Sequence, residues 1–284
     1  MQDVVCVREE KGIIFVLGER RIEFLNNIVT NTVSQDSPVT HAAFLSRLGK
    51  MIALCTVYAL PKALIIVTDN VCLPRIMDAL STARLMKITI LERSNEFIFY
   101  TIFGSKRNEA TTKLAGVFPK TIAEEKGTII INHNNTIDII TPTPLPIEET
   151  SDDIKELFRI GQGFPAWGKE MDETTSFPDL GLEYTVSYTK GCYVGQEIVS
   201  RVKNIGQPPK LLRQLVIDGE EIPPFRTPII AEAQIGYITS AAYSSSLKKI
   251  VALGFVQKSH YAPGTKVSVL GKKAVVNALP EHQC

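Results

Sequence analysis

Short blocks of hydrophobic residues, spaced first like strands and then like helices, set the texture of the N-terminal part of the chain. Gly12–Leu17 (GIIFVL) is a compact β-type run, and Glu19–Val29 predicts a helix whose Ile22, Leu25, Ile28 and Val29 share one face. Met51–Ala59 and Ala63–Val67 predict two strands joined across Leu60-Pro61-Lys62, because proline suits a turn and not a central strand. Pro74 opens a predicted helix to about Met86, where its missing N–H costs nothing, with Ile76, Met77, Leu80 and Ala83 inward. Strands follow at Lys87–Leu91 and Phe97–Phe103, then a weaker helix at Ser105–Ala115. TIIIN and TIDII flank His133-Asn134-Asn135 and predict a hairpin. TPTPLPIEETSDD reads as a surface linker. Ser151 or Asp152 then caps a helix with Ile154, Leu157 and Phe158 inward, stopped by Gly161.

Beyond Pro208-Pro209 the runs shorten and become β-rich (LLRQLVI, IGYITSAAY, IVALGFVQ, TKVSVLG, KAVVNAL). They predict a separate barrel or sandwich from about residue 210 to the end.

Composition narrows the function classes. The 284 residues suffice for two or three domains, and 44% hydrophobic with 21% charged residues is a globular balance. A net charge of +1 disfavours sustained nucleic-acid binding, which needs a basic excess. The five cysteines (Cys6, Cys55, Cys72, Cys192, Cys284) form no CxxC pair, so a disulfide scaffold or structural zinc site is not expected. They suit a reducing compartment. The acidic N-terminus lacks a signal-peptide core, and the most apolar stretch, Met51 to Val67, is broken by Pro61-Lys62. A soluble, cytoplasmic protein with no membrane partner is expected.

No HExxH, Walker loop, GxSxG or calcium loop is present. Gly161-Gln162-Gly163-Phe164-Pro165-Ala166 resembles a loosened dinucleotide fingerprint but follows a helix instead of a strand. The four histidines (His41, His133, His260, His282) have no ligand-type spacing and read as surface or loop residues, so no metal site is expected. Tyr188–Val202 (YTKGCYVGQEIVSRV) is different. Gly191 and Gly195 bracket Cys192 and permit a tight turn and a close backbone approach. QEIVSRV begins a helix with an Ile198, Val199 and Val202 stripe. A cysteine ahead of a helix N-terminus and two residues from Lys190 feels two positive influences that favour thiolate, with Glu197 opposing unless Arg201 engages it. Cys192 and Lys190 are therefore the candidate catalytic residues. The bland alternative is a turn whose cysteine merely packs.

At these residues the sequence resembles the YgfZ/GcvT-like folate-binding family, whose hallmark is K-G-C-Y-x-G-Q-E. Lys190, Gly191, Cys192, Tyr193, Gly195, Gln196 and Glu197 match every fixed position, with Arg201 just beyond. FLNNIVTN (Phe24–Asn31), FLSRLGKM (Phe44–Met51), FRIGQGFPAWGKE (Phe158–Glu170), IGYITSAAYS and ALGFVQKS extend the likeness over essentially the full chain. The resemblance implies an α+β three-domain ring. Residues 1–40 and 128–207 would form a discontinuous folate-binding core, 41–127 an inserted α+β domain and 208–284 a C-terminal β-barrel. It further implies tetrahydrofolate as cofactor and a role in assembling or repairing [4Fe–4S] clusters in client proteins, linked in bacteria to tRNA-modifying radical enzymes. Asn31, Trp167, Glu170, Asp179 and Tyr193 become the candidate folate contacts. Trp167 and Tyr193 read equally as stacking or ordinary packing residues. Lys190, Arg201 and Lys203 are candidates for the glutamate tail, or for solvated charge.

The sequence departs from the related glycine-cleavage T-protein. Gly49 is followed by Lys50-Met51-Ile52-Ala53-Leu54 with no carboxylate, and Arg159 by Ile160-Gly161-Gln162 where the relative has a glutamate for the pterin. A neutral amide cannot make the bidentate, charge-assisted pair that a carboxylate offers. Glu170, Asp179 and Glu183 are the candidate replacements, and Thr32 stands where relatives commonly have Asp after the Asn. Three readings stay open: an accessory factor using Cys192, a folate-dependent aminomethyl transferase, and a folate-independent interaction module.

Overall fold

The computed structural model describes residues 4–115, 121–133, 136–147 and 150–280. Along the chain these form β1 (Val5–Glu9), β2 (Lys11–Leu17), α1 (Arg21–Asn26), β3 (Val39–Leu45), β4 (Met51–Ala59), β5 (Ala63–Asp69), α2 (Leu73–Ala79), β6 (Thr89–Glu92) and β7 (Ile98–Phe103). There follow α3 (Arg107–Ala115), β8 (Ile122–Glu125), β9 (Thr128–Asn132), β10 (Thr136–Thr141), α4 (Asp152–Gln162), α5 (Phe177–Leu180) and α6 (Gln196–Ile205). The last six strands are β11 (Lys210–Asp218), β12 (Pro228–Ile230), β13 (Gln234–Ser244), β14 (Lys249–Gln257), β15 (Lys266–Val269) and β16 (Lys272–Asn277).

Two five-stranded antiparallel sheets, ordered β3-β4-β5-β2-β6 and β1-β7-β10-β9-β8, stand beside a closed barrel, β11-β14-β13-β12-β15-β16. The class is α+β. The sheets pack face to face through Ile13, Tyr58, Ile65 and Val67 on one and Phe99, Ile129, Ile131 and Ile140 on the other. Both sheets take strands from 1–40 together with strands from 41–127: β2 lies between β5 and β6, and β1 pairs with β7. The chain passes from one sheet to the other at Glu10, between β1 and β2. The barrel has its own interior of Leu215, Ile217, Ile229, Ile238, Val256 and Val276.

The predicted strands β2, β4 and β5 and the β9–β10 hairpin are present, the hairpin pairing Ile137 with Asn132; Asn134 and Asn135 lie outside the described residues. Helix α1 is shorter than predicted. The Asn26 amide donates to Val33 O (2.9 Å) and its Oδ1 accepts Val33 N–H (2.9 Å), a local bond that competes with helix continuation. Val29 is thereby released to bridge Phe44 of β3. The helix predicted from Pro74 to Met86 divides at Leu80 into α2 and a tighter 3-10 turn over Ser81–Met86, yet Ile76, Leu80 and Ala83 still face the core. Helix α4 runs through Gly161 and stops at Gly163, whose φ of 71° allows Gly163 and Phe164 N–H to cap Ile160 and Arg159 carbonyls. The expected linker after Thr141 is strapped to the sheet: Leu145 N–H bonds the Tyr100 hydroxyl (3.2 Å) and Thr150 Oγ1 donates to Cys6 O (2.7 Å). No helix among the described residues is long and apolar enough to cross a membrane.

Candidate functional site

Cys192 lies exposed on the loop that leads into α6, whereas Cys6, Cys55 and Cys72 are buried. Burial pushes the Cys6 and Cys72 thiols up to about 12 and raises Cys55 as well, so these three stay protonated at neutral pH. Cys284 lies outside the described residues. Under the loop, Tyr193 is buried against the cluster of Leu45, Met51 and Val199. Burial lifts its phenol to about 12, and its hydroxyl has no partner among the described residues. Tyr193 packs beneath the loop.

The two motif glycines differ. Gly195 caps α6 at φ +85°, and a Cβ there would stand 2.7 Å from Ser46 O. Across the same contact, a Cβ on Gly49 of the β3–β4 turn would meet Ile198 at 2.9 Å. The turn and the start of α6 therefore fit together glycine against backbone and side chain. Gly191 faces open space with no left-handed φ, so the expected close approach belongs to Gly195 alone.

The geometry also revises the expected electrostatics of the thiol. Helix α6 starts at Gln196, four positions after Cys192. Lys190 turns its ammonium inward: Nζ donates to Asn26 Oδ1 (3.2 Å), Val29 O (2.9 Å) and Asn31 O (2.6 Å), and lies 5.5 Å from the Tyr193 ring centre. Burial lowers its pKa to about 8. Lys190 thus spends its ammonium protons inside the fold. Glu197 and Arg201 are exposed and make no ion pair with each other, and Gln196 is half-buried at the helix start.

The candidate folate contacts divide according to whether their polar atoms are spent. Glu170 is fully buried; its Oε2 accepts Arg159 Nη1 (2.9 Å) and Ala166 N–H (2.9 Å), and its Oε1 accepts the Ser240 hydroxyl (2.5 Å). Asn31 donates its amide to His41 O (2.9 Å) and Tyr184 O (3.0 Å) and accepts Thr32 N–H (2.9 Å). Glu183 accepts the Tyr188 hydroxyl and Lys203 Nζ, which removes Lys203 from the free cations. Asp179, half-buried on α5, donates its backbone N–H to Ser176 O (3.0 Å), while its carboxylate makes no hydrogen bond among the described residues. Burial raises its pKa against the pull of Lys210 and Lys50. The Trp167 indole is half-buried between two core clusters with Arg75 4.9 Å above its ring.

A polar chain that sequence reasoning missed runs between the sheets. Asp69 at the end of β5 accepts Lys11 Nζ (2.9 Å); burial opposes its charge, but Lys11 with the nearby Trp167 backbone N–H holds its pKa below the ordinary value. Burial depresses Lys11, but the Glu9 and Asp69 carboxylates outweigh that effect and leave its pKa raised. Thr101 Oγ1 bonds Glu9 (2.9 Å) and Asp138 (3.0 Å), and Asp138 also accepts the Tyr58 hydroxyl (2.6 Å) and contacts His133 Nε2 (2.7 Å). His133 stacks 6.0 Å from His41, which meets Tyr184 edge-on at 5.6 Å. His41 and His133 are thus half-buried partners instead of scattered surface residues. Strand β3, which carries His41, went unrecognised because HAAFL has little β-branched character. Among the described residues, no three His, Cys, Asp or Glu side chains converge as a metal site.

Comparison with known proteins follows this architecture. Residues 210–280 match the glycine cleavage T-protein C-terminal barrel domain. The aminomethyltransferase of Streptomyces avermitilis is 30% identical over 115 residues, covering 39% of this chain and 31% of the relative. That of Halalkalibacterium halodurans is 30% identical over 120 residues, covering 42% and 33%. The matched region is about a third of the length of these curated relatives. The crystal structure of glycine cleavage system aminomethyltransferase T from Bartonella henselae superposes with a TM-score of 0.82 over 98% of this chain and 86% of that one, at 14% identity. The chain therefore has the fold of the glycine-cleavage aminomethyltransferase T and carries its C-terminal barrel domain.

Proposed function

We propose that the protein is a tetrahydrofolate-binding accessory factor of the YgfZ kind, acting through Cys192 in the assembly or repair of [4Fe–4S] clusters in client enzymes, tRNA-modifying ones among them. One observation carries this reading: on an aminomethyltransferase fold whose β4 has no carboxylate, Cys192 is the exposed thiol among the described cysteines, on a loop fastened from beneath. A single thiolate supplies one of the four ligands a cluster takes from protein, so its contact with a cluster is shared with the client and transient. Of the expected folate contacts, Asp179 keeps its carboxylate uncommitted and Trp167 offers a half-buried ring, while Glu170 and Asn31 spend their polar groups inside the fold. Bound folate would supply one-carbon chemistry. Free thiols fit a reducing, cytoplasmic setting.

Titrating tetrahydrofolate into the wild type and Cys192→Ala, with cluster-enzyme activity measured in a deletion strain, tests the reading. Equal folate binding by both proteins with rescue by wild type alone is expected. Full rescue by Cys192→Ala removes the cysteine from the function. Absence of folate binding at high ligand concentration leaves the folate-independent interaction module in its place. A second reading, folate-dependent aminomethyl transfer, is favoured by the curated relatives being aminomethyltransferases. Methylene-tetrahydrofolate formed from an aminomethyl donor would establish it.

A further inference from the structure

Segment 26–33, from the last residue of α1 onward, is held to its neighbours by several hydrogen bonds. Asn26 closes it onto Val33, and Thr30 N–H donates to Ala43 O (3.0 Å) while its Oγ1 accepts Ala43 N–H (2.8 Å). The same Oγ1 donates to Thr185 O (2.6 Å), and Ser187 N–H donates to Thr30 O (3.0 Å). Asn31 reaches His41 O and Tyr184 O, so the segment is tied to the backbone of the two residues whose rings meet at the end of the polar chain. Onto this platform the thiol loop sends one side chain, Lys190, whose ammonium uses all three protons on Asn26, Val29 and Asn31 oxygens.

We infer that Lys190 is a positioning residue, a clamp that fixes the Cys192 loop to segment 26–33 so that the thiol and the interior beside Asn31 move as one unit. All three acceptors are uncharged oxygens. The clamp is therefore a set of charge-assisted hydrogen bonds, stronger than neutral ones and dependent on their geometry. Its reach is direct: the Asn31 oxygen that accepts Lys190 belongs to the residue whose side chain ties β3 to the turn at Tyr184. A ligand bound beside these groups that shifts Asn31 would be felt at Cys192, and modification of the loop would alter ligand affinity by the same factor. This last consequence rests on the folate reading; the clamp itself does not.

The experiment uses the full chain with Lys190→Met, which keeps the aliphatic stem and removes the donors, and Lys190→Arg, which restores donors. In the ligand-free measurement, exposed Arg201→Met, just beyond the motif, serves as the control for loss of a nearby charge. Without ligand, Lys190→Met, which removes all three charge-assisted hydrogen bonds, is expected to speed amide exchange in both 187–195 and 26–33 by about tenfold or more. Lys190→Arg should recover most of the protection, and Arg201→Met should change neither segment. Faster exchange in 187–195 alone, with 26–33 unchanged, overturns the clamp. With tetrahydrofolate present, the rate of Cys192 alkylation by iodoacetamide should change in the wild type and stay constant in Lys190→Met. Folate binding that leaves wild-type alkylation unchanged overturns the coupling. No folate binding at all defeats the folate reading and its coupling, while the ligand-free exchange still decides the clamp.

Discussion

Asp138 commits both carboxylate oxygens inside the fold, to Tyr58 and His133 on one side and to Thr101 on the other. Burial penalises its charge, but His133 and the two hydroxyls outweigh that cost and hold its pKa below the ordinary value. His133 is likewise opposed by burial and raised by Asp138. The signs fix a pH window. The lowered Asp138 contributes stability present above the unfolded carboxylate range near ~3.9, lost as pH falls through its folded value. The raised His133 contributes stability present below ~6.5, lost as pH rises through its own folded value. Asp138→Asn should therefore cost about 3 kcal/mol between roughly pH 4 and 6.5, the scale for breaking a buried pair, and less on either side. Urea midpoints of the two proteins across that range check this; a difference independent of pH would deny the pair its role. Sequence could not reveal the arrangement, because His41 and His133 meet only through the packing of two sheets. Cys192 was legible for the opposite reason: its local motif carries the signal without long-range contacts.

Elements were readable where one local rule dominated and misread where a side chain or a distant contact competed. Apolar runs and proline placed β4 and β5, while Asn26 shortened α1 and the phrase Gly161-Gln162-Gly163 concealed which glycine takes the left-handed conformation. The motif glycines pose the same problem, and structure separates them. Gly195→Ala places a Cβ at φ +85° and 2.7 Å from the Ser46 carbonyl, a contact with backbone that cannot swing aside. The left-handed conformation alone costs about 1–2 kcal/mol, and displacing the β3–β4 turn adds to it. Gly191→Ala meets open space and should leave stability within about 0.5 kcal/mol of wild type. Thermal unfolding of the two variants is the check. Equal destabilisation would mean that the turn and α6 do not fit together as described.

At the scale of the molecule, the barrel announced itself by its run of short strands, and the polar contacts that, with an apolar cluster, dock it on α4 did not. Strand β13 changes register between Ile238 and Ser240, and the Ser240 hydroxyl donates to the buried Glu170. Glu170 also binds Arg159 of α4 and the backbone of the Trp167 loop, so one carboxylate joins barrel, helix and loop. Arg159 in turn donates to Glu156, which Lys169 also engages; burial opposes that carboxylate's charge, and these partners still hold its pKa down at about 2. Glu170 looked like a folate ligand in the sequence because an acidic residue after a tryptophan-bearing loop carries no mark of burial. Glu170→Ala removes the shared acceptor and leaves the Ser240 hydroxyl proton and the Ala166 N–H without one, although Ser240 Oγ still accepts Arg159, at a cost of about 3–5 kcal/mol. The loss should fall on the junction, so calorimetry should show the barrel transition separating from that of the sheets, with faster proteolysis at Gln207–Pro209. Glu23→Ala is the control, since its partner Arg20 is solvent-exposed, and it should leave the midpoint where it was. A single, merely lower transition for Glu170→Ala would show that the carboxylate stabilises one cooperative unit instead of docking two.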